Sequence, residues 1–141
     1  NSNWFDVNKK KNIDGVIAFQ ALSFVEGSLE KKISVFNKKN FNFLAFSTLC
    51  TPFDVNFNIN VDDFSKGEFE RGTYDVYSFK ILKQLLKKKG YKNIYFKQFF
   101  IKQKLTKPKH KGMGSYTVQI KNKNYLFSGG IYLPYYFIFC I

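Results

Sequence analysis

Acidic residues stop at Asp75; the 66 residues that follow contain no Asp or Glu. Histidine is nearly missing, with His110 alone, which excludes chemistry that needs several imidazoles. Two cysteines, Cys50 and Cys140, are too few for a disulfide framework or, unaided, a zinc site. Arginine occurs once, as Arg71, and alanine three times. Long apolar runs are also lacking. A membrane-spanning helix takes roughly 20 apolar residues, and the apolar tail IYLPYYFIFCI (131–141) has 11, with Pro134 inside. No stable membrane insertion is expected.

What is present is lysine and aromatic surface. The 141 residues include 18 Phe and 9 Tyr, are 45% hydrophobic, and carry a formal charge of +13. That length suits one domain, residues 1–141, and the apolar content supports a packed core rather than a disordered chain. The charge excess points to a polyanionic partner. Lys, Asn, Phe, Tyr and Ile have A/T-rich codons, whereas Ala and most Arg codons are G/C-rich. Folding physics does not ask for this skew, so coding bias in an A/T-rich genome, an organelle genome among the candidates, is its expected source. Asp6 and Asp14 argue against an Arg-rich, acid-free presequence. That fits organelle encoding, and equally fits a cleaved product.

The charge is segregated. Residues 1–79 carry nine basic and ten acidic groups, a net of −1, whereas residues 80–141 carry fourteen Lys and a net of +14. Coding bias explains Lys in place of Arg, but not a missing acid complement. Such asymmetry marks a face for nucleic acid or for a membrane surface.

The first 72 residues read as strand-rich. KKISVFN (31–37) and FNFLAFSTL (41–49) are apolar runs parted by Lys38-Lys39-Asn40. In VNFNINV, Val55, Phe57, Ile59 and Val61 alternate with Asn, predicting a strand with one buried face. Residues 73–89 predict a helix, with Phe79, Leu82 and Leu86 on one stripe and Lys80, Lys83 and Lys87 on another; Lys88 follows at the basic end. Thr73 or Asp75 can cap its start, and Gly90 can end it. By itself the Lys stripe also reads as an ordinary solvated helix face. A strand over 94–101 should follow, bearing Lys97. Then KQKLTKPKHKGMG (102–114) carries Lys102, Lys104, Lys107, Lys109 and Lys111 with Pro108 and His110, a basic loop rather than a core element. SYTVQIK alternates as a strand, Asn122-Lys123-Asn124 makes a hairpin turn into YLFS, and Gly129-Gly130 closes it. The tail predicts a buried final strand.

The inventory for catalysis is poor, and no enzyme activity or cofactor is expected. His110 has no acid in its half of the chain to orient it as an acid–base group. Cys140 sits in a core strand as inert packing. Asp62, Asp63, Glu68 and Glu70 do not match the spacing of a calcium loop and read as a solvated acidic connection. Gly112-Met113-Gly114 is too short for a phosphate-loop or dinucleotide fingerprint. The basic loop is better suited to a phosphate-lined crevice, where each Lys releases counterion and its glycines allow close backbone approach.

The order of these segments resembles the universal large-subunit ribosomal proteins of the L-sixteen family. The strand Ile94-Tyr95-Phe96-Lys97-Gln98-Phe99-Phe100 is similar to the family's aromatic Ile-Trp-Ile-Arg-Val-Phe-Pro strand, with Thr73 at the family's helix-starting Thr. Thr106-Lys107-Pro108 and Lys111-Gly112-Met113-Gly114 resemble its Thr-x-Lys-Pro stretch and its Arg-Met-Gly glycine loop. Ser115-Tyr116-Thr117-Val118 and Tyr125-Leu126-Phe127-Ser128-Gly129-Gly130 resemble the hairpin that follows. The likeness covers residues 73–130. In this chain the glycine loop is shorter, Gly112 replaces the Arg before Met-Gly, the basic N-terminal arm is not recognisable in 1–72, and no helix precedes the last strand at 131–141.

The resemblance implies an α+β fold, a mainly antiparallel sheet packed against one clear helix, with a basic glycine-containing loop. It implies a structural role in the large ribosomal subunit, binding large-subunit rRNA near the aminoacyl-tRNA site. Lys107, Lys109, His110, Lys111, Gly112 and Gly114 would approach RNA or tRNA, and Lys80, Lys83 and Lys87 would meet rRNA phosphates. Lys88, Lys97, Lys102, Lys104, Lys121 and Lys123 complete the expected RNA-facing set. Neighbouring ribosomal proteins are further expected partners, and coding bias adds the mitochondrial ribosome as the location. Two alternatives stand beside this expectation: another basic ribosomal or ribosome-assembly protein, or a small subunit of a respiratory membrane complex.

Overall fold

A computed structural model describes residues 14–141 except Glu26, Lys66 and Glu68, and not the side chains of Ser23 and Phe24. Asp6 and Glu68, invoked above, therefore lie outside the described residues. The chain runs through β1 (Gly15–Ala18), a 3-10 turn (Ala21–Phe24), α1 (Leu29–Ile33), β2 (Phe43–Thr51), β3 (Phe57–Asp63) and β4 (Glu70–Ser78). It continues through α2 (Phe79–Lys88), β5 (Ile94–Gln98), β6 (Ser115–Ile120), β7 (Lys123–Ser128), β8 (Ile131–Tyr132) and β9 (Tyr135–Cys140). The fold is α+β, with a mostly antiparallel sheet and, among the described residues, one helix of more than a turn or two.

The main sheet has the order β3-β4-β2-β9-β5, and β1 also pairs with β2. Eight consecutive residues of β2, from Leu44 to Thr51, are buried, as a central strand flanked on both edges requires. On one side β9 runs antiparallel to it. On the other, β1 pairs with its first half and β4 with its last three residues, both in parallel. The end of the tail, 135–140, therefore forms an interior strand between β2 and β5, which explains its apolarity, while Ile131–Tyr132 pairs in the small sheet instead. Strands β6, β7 and β8 form a separate small antiparallel sheet.

Because paired residues share a sheet face, the register divides the core into two layers. Leu44, Phe46 and Cys50 of β2, Tyr77 of β4, and Ile138 and Cys140 of β9 meet Ile33, Leu82 and Leu86 beneath the helices. On the opposite face Leu49, Val76 and Leu133 pack with Tyr74, Leu126, Ile131 and Tyr135, where the small sheet covers one end of the large one. Farther along that face Ile17, Tyr95 and Phe99 are exposed, and Ala45 and Ser47 between them are buried.

Several local expectations shift. Residues 31–37 hold no strand: α1 starts where Ser28 Oγ accepts the Lys31 amide at 3.3 Å, and Val35 and Phe36 then turn into the core. The long helix begins at Phe79 rather than 73, because Thr73 and Asp75 lie in β4 opposite Asn60 and Asn58 of β3. Ser78, not Thr73 or Asp75, is its cap. The strand expected over 94–101 ends at Gln98. In β3 the expected buried face is only half covered, since Phe57 is 44% exposed at the sheet edge, and Val55, 42% exposed, lies before the strand begins. The hairpin turn is Lys121-Asn122, with φ of 47° and 61°, one residue earlier than expected. Both residues take the left-handed conformation that a two-residue hairpin turn of matching twist requires.

Candidate nucleic-acid interface

Helix α2 presents its lysines outward because its other stripe is fully used. Leu82 and Leu86 are completely buried, with Phe79, Ile81 and Leu85 packed beside them, which leaves Lys80, Lys83, Lys87 and Lys88 in solvent. Lys87 and Lys88 fall in the last turn, where cations suit the negative end of the helix. Lys80 forms an ion pair with Asp54, and both side chains are largely exposed.

The helix end does not stand alone. The Lys38 amide donates to the Lys89 carbonyl at 2.9 Å, which docks the 38–40 turn against the helix terminus. Asn37, Lys38, Lys39, Lys88, Lys89 and Gly90 line an open concavity of about 480 Å³. Lys38 Nζ donates to the Asn42 carbonyl and lies 5.9 Å from the centre of the Tyr91 ring. Sequence reasoning missed Lys38, Lys39 and Lys89. Lys38 and Lys39 looked like a plain turn, and nothing in their spacing reveals a neighbour some fifty residues away.

The basic loop, 99–114, has no regular structure but is held at defined points. Leu105 is clasped to β6: its amide donates to Thr117 Oγ1 at 2.9 Å, and its carbonyl accepts the Thr117 amide at 3.0 Å. Asn124 Nδ2 donates to the Lys102 carbonyl at 3.0 Å. At the far end, the Gly112 amide donates to Ser65 Oγ at 2.7 Å and the Met113 amide donates to Asp63 Oδ2 at 2.9 Å. Asp63 Oδ1 accepts the Ser65 amide at 2.9 Å, so a single buried carboxylate organises both strands of the contact. Ser128 Oγ donates to the Met113 carbonyl at 2.6 Å and accepts from the Tyr74 hydroxyl at 2.9 Å.

These anchors decide what the glycines do. A Cβ on Gly112 would strike the Asp63 carboxylate, and one on Gly114 would strike the Pro108 ring. Gly114 is buried, and the Gly112 amide is engaged within the chain. In this structure both glycines serve to seat the loop. Between the anchors, Lys107, Lys109, His110 and Lys111 are exposed. Lys107 Nζ lies 5.6 Å from the centre of the Tyr116 ring, a cation–π approach that leaves its charge outward.

The remaining expected residues are exposed as well: Lys97 on β5, Lys102 and Lys104 at the loop entry, and Lys121 and Lys123 on the hairpin. Lys123 Nζ sits 5.0 Å from the Phe100 ring centre.

Two further acidic groups, Asp62 and Asp75, pair with cations of the first half of the chain. Arg71 Nε donates to Asp62 Oδ1 at 2.9 Å. Lys32, only 4% exposed, pairs with Asp75 at 2.6 Å. Burial pushes the Asp75 carboxyl up, but hydrogen bonds from Lys32, Asn58 and Tyr77, with the Lys32 charge, outweigh it and hold the group below its ordinary value. Cys50 and Cys140 are buried, and desolvation pushes both thiols up to about 12, far from the range of a nucleophilic or metal-binding thiolate. Among the described residues no group of three or more His, Cys, Asp or Glu is placed to hold a metal ion. No helix among them is long and apolar enough to cross a membrane.

What this surface can do chemically is gather phosphates. Its charges are point cations on mobile stems, carried on a helix, a pinned loop and a hairpin, and suited to backbone contact rather than bidentate base reading. Comparison with family models, with curated proteins and with solved structures finds no match to this chain.

Proposed function

We propose that this protein is a structural RNA-binding component of the large ribosomal subunit of a mitochondrial ribosome. The observation that carries the reading is the basic loop: Lys107, Lys109 and Lys111 stand exposed between anchors at Leu105 and at Gly112-Met113. A loop held at its root loses less freedom on binding than a free one, so its charges act with less ordering cost. The acid-free second half adds lysines on α2, β5 and the β6–β7 hairpin.

The succession α2, β5, basic loop and β6–β7 hairpin keeps the segment order on which the resemblance to the L-sixteen family rests, with Thr73 in β4 rather than at the helix start, and it supports large-subunit rRNA as the partner and the neighbourhood of the aminoacyl-tRNA site as the location. In this reading residues 107–111 approach rRNA or tRNA, and neighbouring ribosomal proteins take the less basic first half. The coding bias towards Lys, Asn, Phe and Ile supports an organelle-encoded chain.

The test is sedimentation of an organelle lysate through a sucrose gradient with and without RNase, following this chain. Co-migration with a large ribosomal particle, lost on RNase treatment, is the expected outcome. Retention in the membrane fraction regardless of RNase would overturn the reading in favour of a respiratory-complex subunit.

A further inference from the structure

Among the described residues, the face of the main sheet opposite its helices carries exposed aromatic rings. In register across β1, β2, β9 and β5 it presents Ile17, Ala45, Phe139 and Tyr95 in one row, and Ser47, Phe137 and Lys97 in the next. Phe19 and Phe99 extend the second row. Phe19 packs edge-on to Phe137 with ring centres 5.6 Å apart, and Phe99 does the same from the other side at 5.4 Å. Phe19 is 59%, Tyr95 58% and Phe99 42% exposed. An open cavity of about 270 Å³ lies between Phe19, Phe99, Tyr135 and Phe137.

Exposed aromatic rings in such number on one sheet face mark a contact surface. Its charge indicates the partner. The four strands contain one charged residue among them, Lys97, and it projects from this face beside Phe137. A partner with flat apolar rings and anionic links between them matches that pattern. We infer that this face is a stacking platform for unpaired nucleotides of RNA, with Tyr95, Phe99 and Phe19 meeting bases and Lys97 meeting a phosphate. The inference rests on the RNA-binding reading and adds a second mode to it: the lysine loop takes backbone charge, whereas the sheet face takes bases. Stacking tolerates any base, so the face distinguishes unpaired from paired RNA rather than one sequence from another.

The experiment uses the full chain, a fluorescein-labelled 12-nucleotide oligouridine and a 12-base-pair RNA duplex, with binding followed by anisotropy over a range of salt. Tyr95→Ser with Phe99→Ser should weaken oligouridine binding by about five-fold or more per ring. It should leave the salt slope and the duplex affinity unchanged. Lys97→Gln should lower the oligouridine salt slope by about 0.7. With 4-thiouridine in the oligomer, ultraviolet crosslinks should fall on the peptides bearing Tyr95, Phe99 or Phe137.

Unchanged oligouridine affinity in the aromatic variant, with loss on replacing Lys107, Lys109 and Lys111, would overturn the platform and leave the RNA-binding reading standing. Failure to bind either RNA would overturn both. A dimer in sedimentation equilibrium that dissociates in the aromatic variant, or capture of the chain by anionic phospholipid vesicles through Tyr95 and Phe99, would assign the face to a second copy or to a lipid surface and overturn the RNA platform.

Discussion

Asp63 accepts the backbone amide of Met113 at 2.9 Å, joining the end of β3 to the base of the basic loop across 50 residues of sequence. The same carboxylate accepts the Ser65 amide, and Ser65 Oγ in turn accepts from Gly112. One acidic residue from the near-neutral half thus positions the charged loop of the other half.

Asp63→Ala removes an acceptor from two backbone amides and should cost about 1–3 kcal/mol, the range for stranding a buried polar group. Urea denaturation measures that cost. Hydrogen exchange at Gly112 and Met113 should speed up well beyond any change in the α2 amides. Uniform acceleration along the chain would show that Asp63 serves the whole fold rather than the loop.

Two glycines near the clasp should respond differently to alanine. At Gly114 the added methyl meets the Pro108 ring, which cannot swing aside without moving the loop, so a loss of about 1–3 kcal/mol is expected. At Gly72 the methyl meets only the far end of the Met113 side chain, which can rotate away. Gly72→Ala should therefore stay within about 1 kcal/mol of the original chain. Thermal unfolding of the two variants side by side makes the comparison, and equal losses would refute it.

The Lys32–Asp75 pair links α1 to β4 in the least exposed ion pair described. Lys32→Ala should cost about 1.5–3 kcal/mol, as expected for a hydrogen bond to a charged group. Asp75 has a depressed folded-state pKa. Its contribution is therefore fully present above the unfolded value near 3.9 and is lost as pH falls through the lower folded value. The urea midpoint should drop as pH falls below about 4, and Asp75→Asn should flatten that drop. An Asn variant with the same acid dependence would show that other carboxyls govern it.

Replacing Lys107, Lys109 and Lys111 together with Gln should lower the salt slope of RNA binding by about 2 to 3 if each meets one phosphate. Replacing Lys38, Lys39 and Lys89 should lower it by a similar amount, since they line one concavity with Lys88. The two sets are on different elements, so their effects should add. Filter binding at several salt concentrations reads both, and an unchanged slope in either set would remove that set from the interface.

Much of the surface chemistry was legible in the chain itself. The lysine stripe of α2 needed only the 3.6-residue period, and its lysines are exposed because Leu82 and Leu86 take the other side. The tail read as one buried strand from apolarity and length, whereas Ile131–Tyr132 pairs in the small sheet and only Tyr135–Cys140 enters the main one, with Ile138 and Cys140 fully buried. Thr73 misled because its capping potential competes with strand pairing, and the antiparallel register with β3 wins over six residues of local preference. Residues 31–37 misled because a short apolar run fits a strand or a buried helix end equally well.

Composition and local pattern thus determined the α+β class, the segregation of charge and the solvent-facing lysines, because these depend on period, burial and charge count along the chain. Tertiary structure alone decided that Lys38 and Lys39 join the end of α2, that Asp63 seats the loop at Gly112 and Met113, and that Phe19, Tyr95, Phe99 and Phe137 share one face. Each is a meeting of residues far apart in sequence, set by strand register and packing, and no local period carries it.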